Sequence, residues 1–151
     1  MFKKFLFAVV TALVMLSFAA FPVYARTIVA RVSAVVEWVD SGIDVSVGET
    51  VSLVANGKAI TGPLNLYPGS KSGPEGQLAN PVCMDTVEYT CALEGAPFGA
   101  LIGKVGSTVF LIGSAGSFAA PEDGRLYLAV NDFVGEYADN AAGFTVRFPW
   151  R

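Results

Sequence analysis

No part of the chain carries a helical apolar period of useful length; short alternating apolar runs recur instead between turn signals, from residue 28 to residue 148. A strand points successive side chains to opposite faces, so alternation buries one face and wets the other. Ile43, Val45 and Val47, interleaved with Asp44 and Ser46, are such a run. Residues 28–39 read as one long strand with Val32, Ala34, Val36 and Trp38 on a shared, core-facing side, and residues 40–42 as a turn. Residues 50–55 read as a strand with Val51, Leu53 and Ala55 inward. Asn56-Gly57 then gives the strongest short hairpin signal in the chain, sending residues 58–60 back. Further strands are expected at 100–105, 109–112, 117–119, 126–130 and 144–148, with turns at 106–107, 114–116 and 122–124. About eight short strands at this spacing predict an all-β fold, an antiparallel β-sandwich or jelly roll.

The first 25 residues read as an address rather than a fold. Lys3-Lys4 precede an apolar stretch over residues 5–21, and Pro22-Val23-Tyr24-Ala25 offers a small-residue cleavage site. A signal peptide over 1–25 and one domain over 26–151 are therefore expected, with no stable membrane insertion after cleavage and an exported destination, periplasmic or secreted. No internal repeat or low-complexity linker divides the remainder. Loss of Lys3 and Lys4 takes the formal charge from −3 to −5. An acidic chain with scattered Lys and Arg has no basic face for nucleic acid.

Residues 61–97 depart from the alternating pattern, with Pro63, Pro68, Pro74, Pro81 and Pro97 interspersed with five glycines. So long an excursion in a small domain is functional or stapled. The staple is at hand in Cys83 and Cys91, the only cysteines. In an oxidising compartment they read as one disulfide, which stabilises by about 2.5 kcal/mol in the chain-entropy picture. The chain has no histidine, which removes Ser-His-Asp and Cys-His catalysis, histidine zinc sites and histidine pH switches. A non-enzymatic protein is expected.

Residues 131–144 join two apolar strands through three carboxylates (Asp132, Glu136, Asp139) and two carboxamides (Asn131, Asn140). Two carboxylates about 5 Å apart repel by about 3 kcal/mol at an effective dielectric near 20. A hard cation such as Ca²⁺, which takes six to eight oxygen ligands, relieves that repulsion. The plain alternative is a solvated loop whose Asp and Asn cap turns. The spacing D-x₃-E-x₂-D-N is not that of an EF-hand.

The run Asn131-Asp132 through Gly135, Tyr137, Asp139-Asn140 and Gly143-Phe144-Thr145-Val146 resembles the calcium and sugar loop of the PA-IL galactophilic lectins. Residues 45–59, Gly73-Pro74-Glu75-Gly76 with Asn80-Pro81, and residues 99–106 follow the same order as in that family. The resemblance implies a β-sandwich that binds a galactose-like sugar or other glycan through Ca²⁺. It implies that Asp132 ligates the metal by both carboxylate oxygens, Asp139 and Asn140 by side-chain oxygens, and Glu136 and Thr61 by backbone carbonyls. Asp132, Glu136 and Asp139 would also hydrogen-bond the sugar, Phe133 would contact its ring, and Asn80 stands where galactose-specific members carry a histidine. Glu136 and Asp139 replace a threonine and an asparagine, and residues 82–98 are longer than in those lectins. An oligomer is compatible with this reading. The alternative from another class is an envelope or secreted structural or partner-binding domain that keeps the sandwich without the sugar site. Tyr67 and Trp150 are further candidates for sugar contact, Tyr137 is expected to anchor the loop with a paired hydroxyl, and Glu75 and Asp85 are expected to be solvated.

Overall fold

Alternation becomes two packed faces in the computed structural model, which describes residues 27–62, 71–77 and 82–149. The expected leader, Tyr67, Asn80 and Trp150 lie outside those residues. Nine strands are described: β1 (Thr27–Ser33), β2 (Val39–Val45), β3 (Thr50–Ile60), β4 (Lys71–Ser72), β5 (Leu101–Val105), β6 (Thr108–Leu111), β7 (Ala115–Ala119), β8 (Gly124–Val130) and β9 (Ala141–Pro149). One sheet runs β1-β9-β3, with β7 and β4 sharing the outer edge of β3; the other runs β2-β8-β5-β6. Every strand pairing is antiparallel. The expected all-β sandwich is what forms.

The inner faces carry Val32, Leu53, Val146 and Phe148 from the first sheet, and Leu101, Val105, Leu126, Leu128 and Val130 from the second. Most of these side chains are removed from water entirely. Full burial of a Leu or Phe is worth about 1.5–3 kcal/mol each, so this layer supplies the main folding force. No helix among the described residues is long and apolar enough to cross a membrane.

Three expected turns are not turns. The long strand expected over 28–39 stops at Ser33, and residues 34–38 form a loop that carries Val36 to the surface. Trp38 consequently leaves the core, and its ring lies 4.3 Å from the Lys104 ammonium. Residues 40–42 form a bulge inside β2, where the register against β8 shifts between Asp40 and Asp44. Val47, beyond the end of β2, is exposed. Ala115 and Gly116, expected in a turn, lie inside β7.

Asn56-Gly57 does not form a hairpin either; β3 runs straight through it, pairing Asn56 with Thr145 and Gly57 with Phe144 of β9. Long-range pairing overrides the local turn preference. Glycine is required here for another reason: a Cβ on Gly57 would meet the Gly143 carbonyl oxygen at 2.5 Å, and its φ is +126°. Replacing Gly57 by Ala should therefore cost about 3 kcal/mol in urea unfolding through overpacking and backbone strain. A neutral outcome would contradict so close a strand approach.

Glu122, before β8, caps the β5–β6 hairpin. Its Oε1 accepts from the Thr108 hydroxyl (2.5 Å), the Ser107 hydroxyl (3.1 Å) and the Ser107 N–H (3.2 Å). The Thr108 and Ser107 donors hold its carboxyl below the ordinary 4.5. A lowered folded value means the ionised group stabilises above 4.5 and loses that contribution as pH falls through the folded value. In melting curves, a Glu122→Gln variant should trail the parent at neutral pH. The gap should close on acidification below 4.5; a gap independent of pH would remove the charge from the explanation.

Candidate metal and ligand site

The register of β3 against β9 decides what meets the 131–140 loop. Ile60 pairs with Ala141, so the residues after β3, Thr61 and Gly62, emerge beside Asn140. The Gly62 N–H donates to Asn140 Oδ1 at 2.8 Å. Asn140 Nδ2 donates in turn to the Ala34 carbonyl (3.1 Å), just past β1, and to Asp132 Oδ2 (2.8 Å). One buried carboxamide thus joins the ends of β1 and β3 to the start of the loop. Thr61 is buried too, and its hydroxyl accepts from Gln77 Nε2 at 2.9 Å.

Asp132 is only 6% exposed. Its Oδ1 accepts the Phe133 N–H at 2.8 Å. Burial pushes its carboxyl above the usual carboxylate range. The Asn140 amide and the Phe133 N–H oppose that rise, while the Asp139 and Glu136 charges add to it. Neither ion pair of the described residues reaches Asp132; both belong to Arg125 with Asp40 and Asp44 on the surface. The loop therefore holds a buried negative charge beside two more, with no ion pair to a cationic side chain among the described residues.

A turn follows, in which the Glu136 N–H donates to the Phe133 carbonyl, and a 3₁₀ turn, Tyr137–Asp139, completes the loop. Glu136 and Asp139 are exposed. Tyr137 anchors the loop with a buried ring, as expected, but its hydroxyl is buried without a hydrogen-bond partner, where a paired one was expected. Burial raises its pKa above the ordinary tyrosine value, with the Asp132 and Glu37 charges pushing the same way. An unmet buried hydroxyl costs about 1–3 kcal/mol. Beyond the loop, Ala142 sits at φ +60°, a left-handed conformation that costs about 1 kcal/mol outside glycine.

Asn131 has a different task from that of an oxygen donor to a cation. It is fully buried; its Oδ1 accepts the Leu93 N–H (2.9 Å), and its Nδ2 faces the carbonyls of Leu93, Ala96 and Pro97 at 3.1–3.2 Å. It clamps the segment after the disulfide loop onto the end of β8. The only sequence signal for this role was an Asn ending an apolar strand, which composition alone cannot separate from a ligand.

Cys83 and Cys91 form the expected disulfide, with Cα atoms 5.9 Å apart. Cys91 bridges Phe133, the Ala92 N–H donates to the Asp132 carbonyl (2.9 Å), and the Val134 N–H to the Thr90 carbonyl (2.8 Å). Asp85 is exposed as expected, yet its Oδ1 accepts the Cys91 N–H at 2.7 Å. Asn80, the remaining expected sugar contact, is outside the described residues.

Among the described residues no three carboxylates or cysteines converge as a metal cage. The Asp132 carboxylate is met by the Phe133 N–H and by the Asn140 amide nitrogen, while the Asn140 oxygen, a donor type that calcium mixes with carboxylates, turns toward the Gly62 N–H. A groove of about 540 Å³ at the other end of the sandwich, lined by Ile43, Val51, Phe148 and Glu49, has a single ionisable group and no comparable donor set.

Truncating Asn131 to Ala strands the Leu93 N–H and its carbonyl partners. In denaturant titrations the loss should be about 3 kcal/mol; a loss under about 1 kcal/mol would show that the 93–97 segment does not depend on the clamp.

No family model matches the chain, and no curated protein matches it. Among solved structures it is similar to the N-terminal domain of EclA, described as a PllA-like lectin. The TM-score is 0.61 at 21% identity, covering 82% of this chain and 95% of that one. At that identity the likeness establishes a lectin-like sandwich fold.

Proposed function

We propose that the chain is a calcium-dependent carbohydrate-binding protein whose Ca²⁺ is held by the 132–140 loop together with the backbone after β3. The observation that carries this reading is Asp132: a buried carboxylate with two acidic neighbours, no ion pair among the described residues, and the amide nitrogen of Asn140 2.8 Å away. Asp132 would supply two carboxylate oxygens. Asn140 and Asp139 would supply side-chain oxygens, and Thr61 and Glu136 backbone carbonyls. Asn140 Oδ1 already accepts the Gly62 N–H and keeps a second lone pair for a metal.

A bound calcium ion would supply a hard Lewis acid able to chelate two vicinal hydroxyls. The chain's own residues do the rest. Glu136 and Asp139, exposed at the rim, can accept hydroxyl protons, and half-buried Phe133 can cover the apolar face of a sugar ring. The lectin description of the structural neighbour agrees with a carbohydrate ligand. With Asn80 in place of the family's histidine, the sugar is galactose-like or another glycan. The leader-like first 25 residues and the disulfide agree with an exported protein, periplasmic or secreted.

A second reading draws on Val82, Met84, Val87 and Val134, apolar side chains exposed on and beside the disulfide loop. They suit a partner-binding domain that keeps the sandwich and the metal but not the sugar.

The melting temperature should rise with millimolar Ca²⁺ and fall back with chelator, and a glycan array should give calcium-dependent hits. Asp132→Ala should abolish the shift without unfolding the apo protein. Absence of any shift in the parent would overturn the metal and the sugar chemistry together. A shift without glycan hits would select the partner-binding reading.

A further inference from the structure

The 82–98 excursion does more than pack. Its disulfide-bridged loop is internally fixed: Thr86 Oγ1 accepts the N–H groups of Glu88 (3.2 Å) and Tyr89 (2.9 Å), and the Thr86 N–H donates to the Tyr89 carbonyl (2.8 Å). The loop is joined to the Asp132–Phe133 backbone by the Cys91–Phe133 bridge and the two hydrogen bonds beside it. The result is that the Tyr89 ring lies 5.2 Å from the Phe133 ring at an interplanar angle of 32°. Phe98 stands edge-on behind Phe133, at 5.1 Å and 78°. Phe133 thus packs against both rings, Tyr89 offset-stacked and Phe98 edge-on. Tyr89, at 40% exposure, is the open end of an aromatic shelf that begins next to Asp132.

We propose that Tyr89 forms a second carbohydrate subsite, taking the apolar face of a sugar ring linked to the one bound at Asp132, so that the ligand is at least a disaccharide. This rests on the calcium-lectin reading above. Rings inclined by 32° with centroids 5.2 Å apart are offset-stacked, so the outer face of Tyr89 is a second apolar step beside Phe133, which suits a second linked pyranose ring. Tyrosine also suits a half-wet position, since its ring stacks while its hydroxyl stays in water. The disulfide and the Thr86 turn hold the ring in place before binding, so little side-chain entropy is lost on contact. The subsite sits on residues 82–98, the stretch longer than in the lectins the chain resembles, and it therefore sets a preference of this chain's own.

The probes are methyl glycosides of galactose, mannose, fucose and glucose, each compared with a disaccharide carrying the same terminal sugar, titrated calorimetrically at saturating Ca²⁺. For whichever sugar binds, the disaccharide should bind about tenfold more tightly. Tyr89→Ala should reduce that advantage to within about twofold, leaving methyl-glycoside affinity and the calcium melting shift unchanged. Tyr89→Phe should keep the advantage, which separates stacking from any effect of the hydroxyl or of loop collapse. An advantage that survives Tyr89→Ala, or no advantage in the parent, overturns the subsite and leaves the lectin reading standing. Failure of every glycoside to bind at saturating Ca²⁺ overturns the lectin reading and the subsite with it.

Discussion

The Asn140 carboxamide is the joint on which the candidate site of this molecule depends. Its three hydrogen bonds reach Gly62 after β3, Ala34 after β1 and Asp132 after β8. These points are far apart in the chain, and nothing local in the 131–140 loop would bring them together. Both donors and the acceptor of the amide are used, so its orientation is fixed by satisfaction rather than by packing alone. Asp132 can remain buried because Asn140 and the Phe133 N–H compensate part of its desolvation. Its remaining charge lies next to those of Asp139 and Glu136.

Around this joint the structure accepts costs that a purely structural loop would avoid. Among the described residues Tyr137 keeps a buried hydroxyl without a partner, Ala142 adopts a left-handed conformation, and Asp132 stays largely out of water without an ion pair. Such costs gather where a binding partner repays them. The rest of the sandwich shows few of them: its core is apolar and buried, and the two ion pairs of the described residues lie on the surface, where they contribute little.

The fold class was legible because alternation is a property of single strands. Val51, Leu53 and Ala55, and likewise Leu126, Leu128 and Val130, announce their buried face without reference to any neighbour. The errors arose where a neighbour decides. Asn56-Gly57 is a good turn in isolation, yet pairing with β9 over the whole of β3 outweighs it. Trp38 keeps the phase of β1 but not its strand, because the chain bends after Ser33. The loop's acidity was visible, and so was its wealth of oxygen donors. Asn131 and Asn140 were indistinguishable by composition; only their surroundings make one a clamp for the 93–97 segment and the other the link between Asp132 and β3. Tyr89 carried no signal at all, because its meaning comes from the disulfide and the Cys91–Phe133 bridge that bring it beside the loop.

The most direct measurement is anomalous diffraction from crystals grown with millimolar Ca²⁺. A calcium peak is expected about 2.4 Å from the oxygens of Asp132 and Asn140, with the carbonyl of Thr61 in the same shell. A fully ordered 132–140 loop without such a peak, or a calcium ion bound elsewhere and not at Asp132, would contradict the assignment of this loop as a metal site.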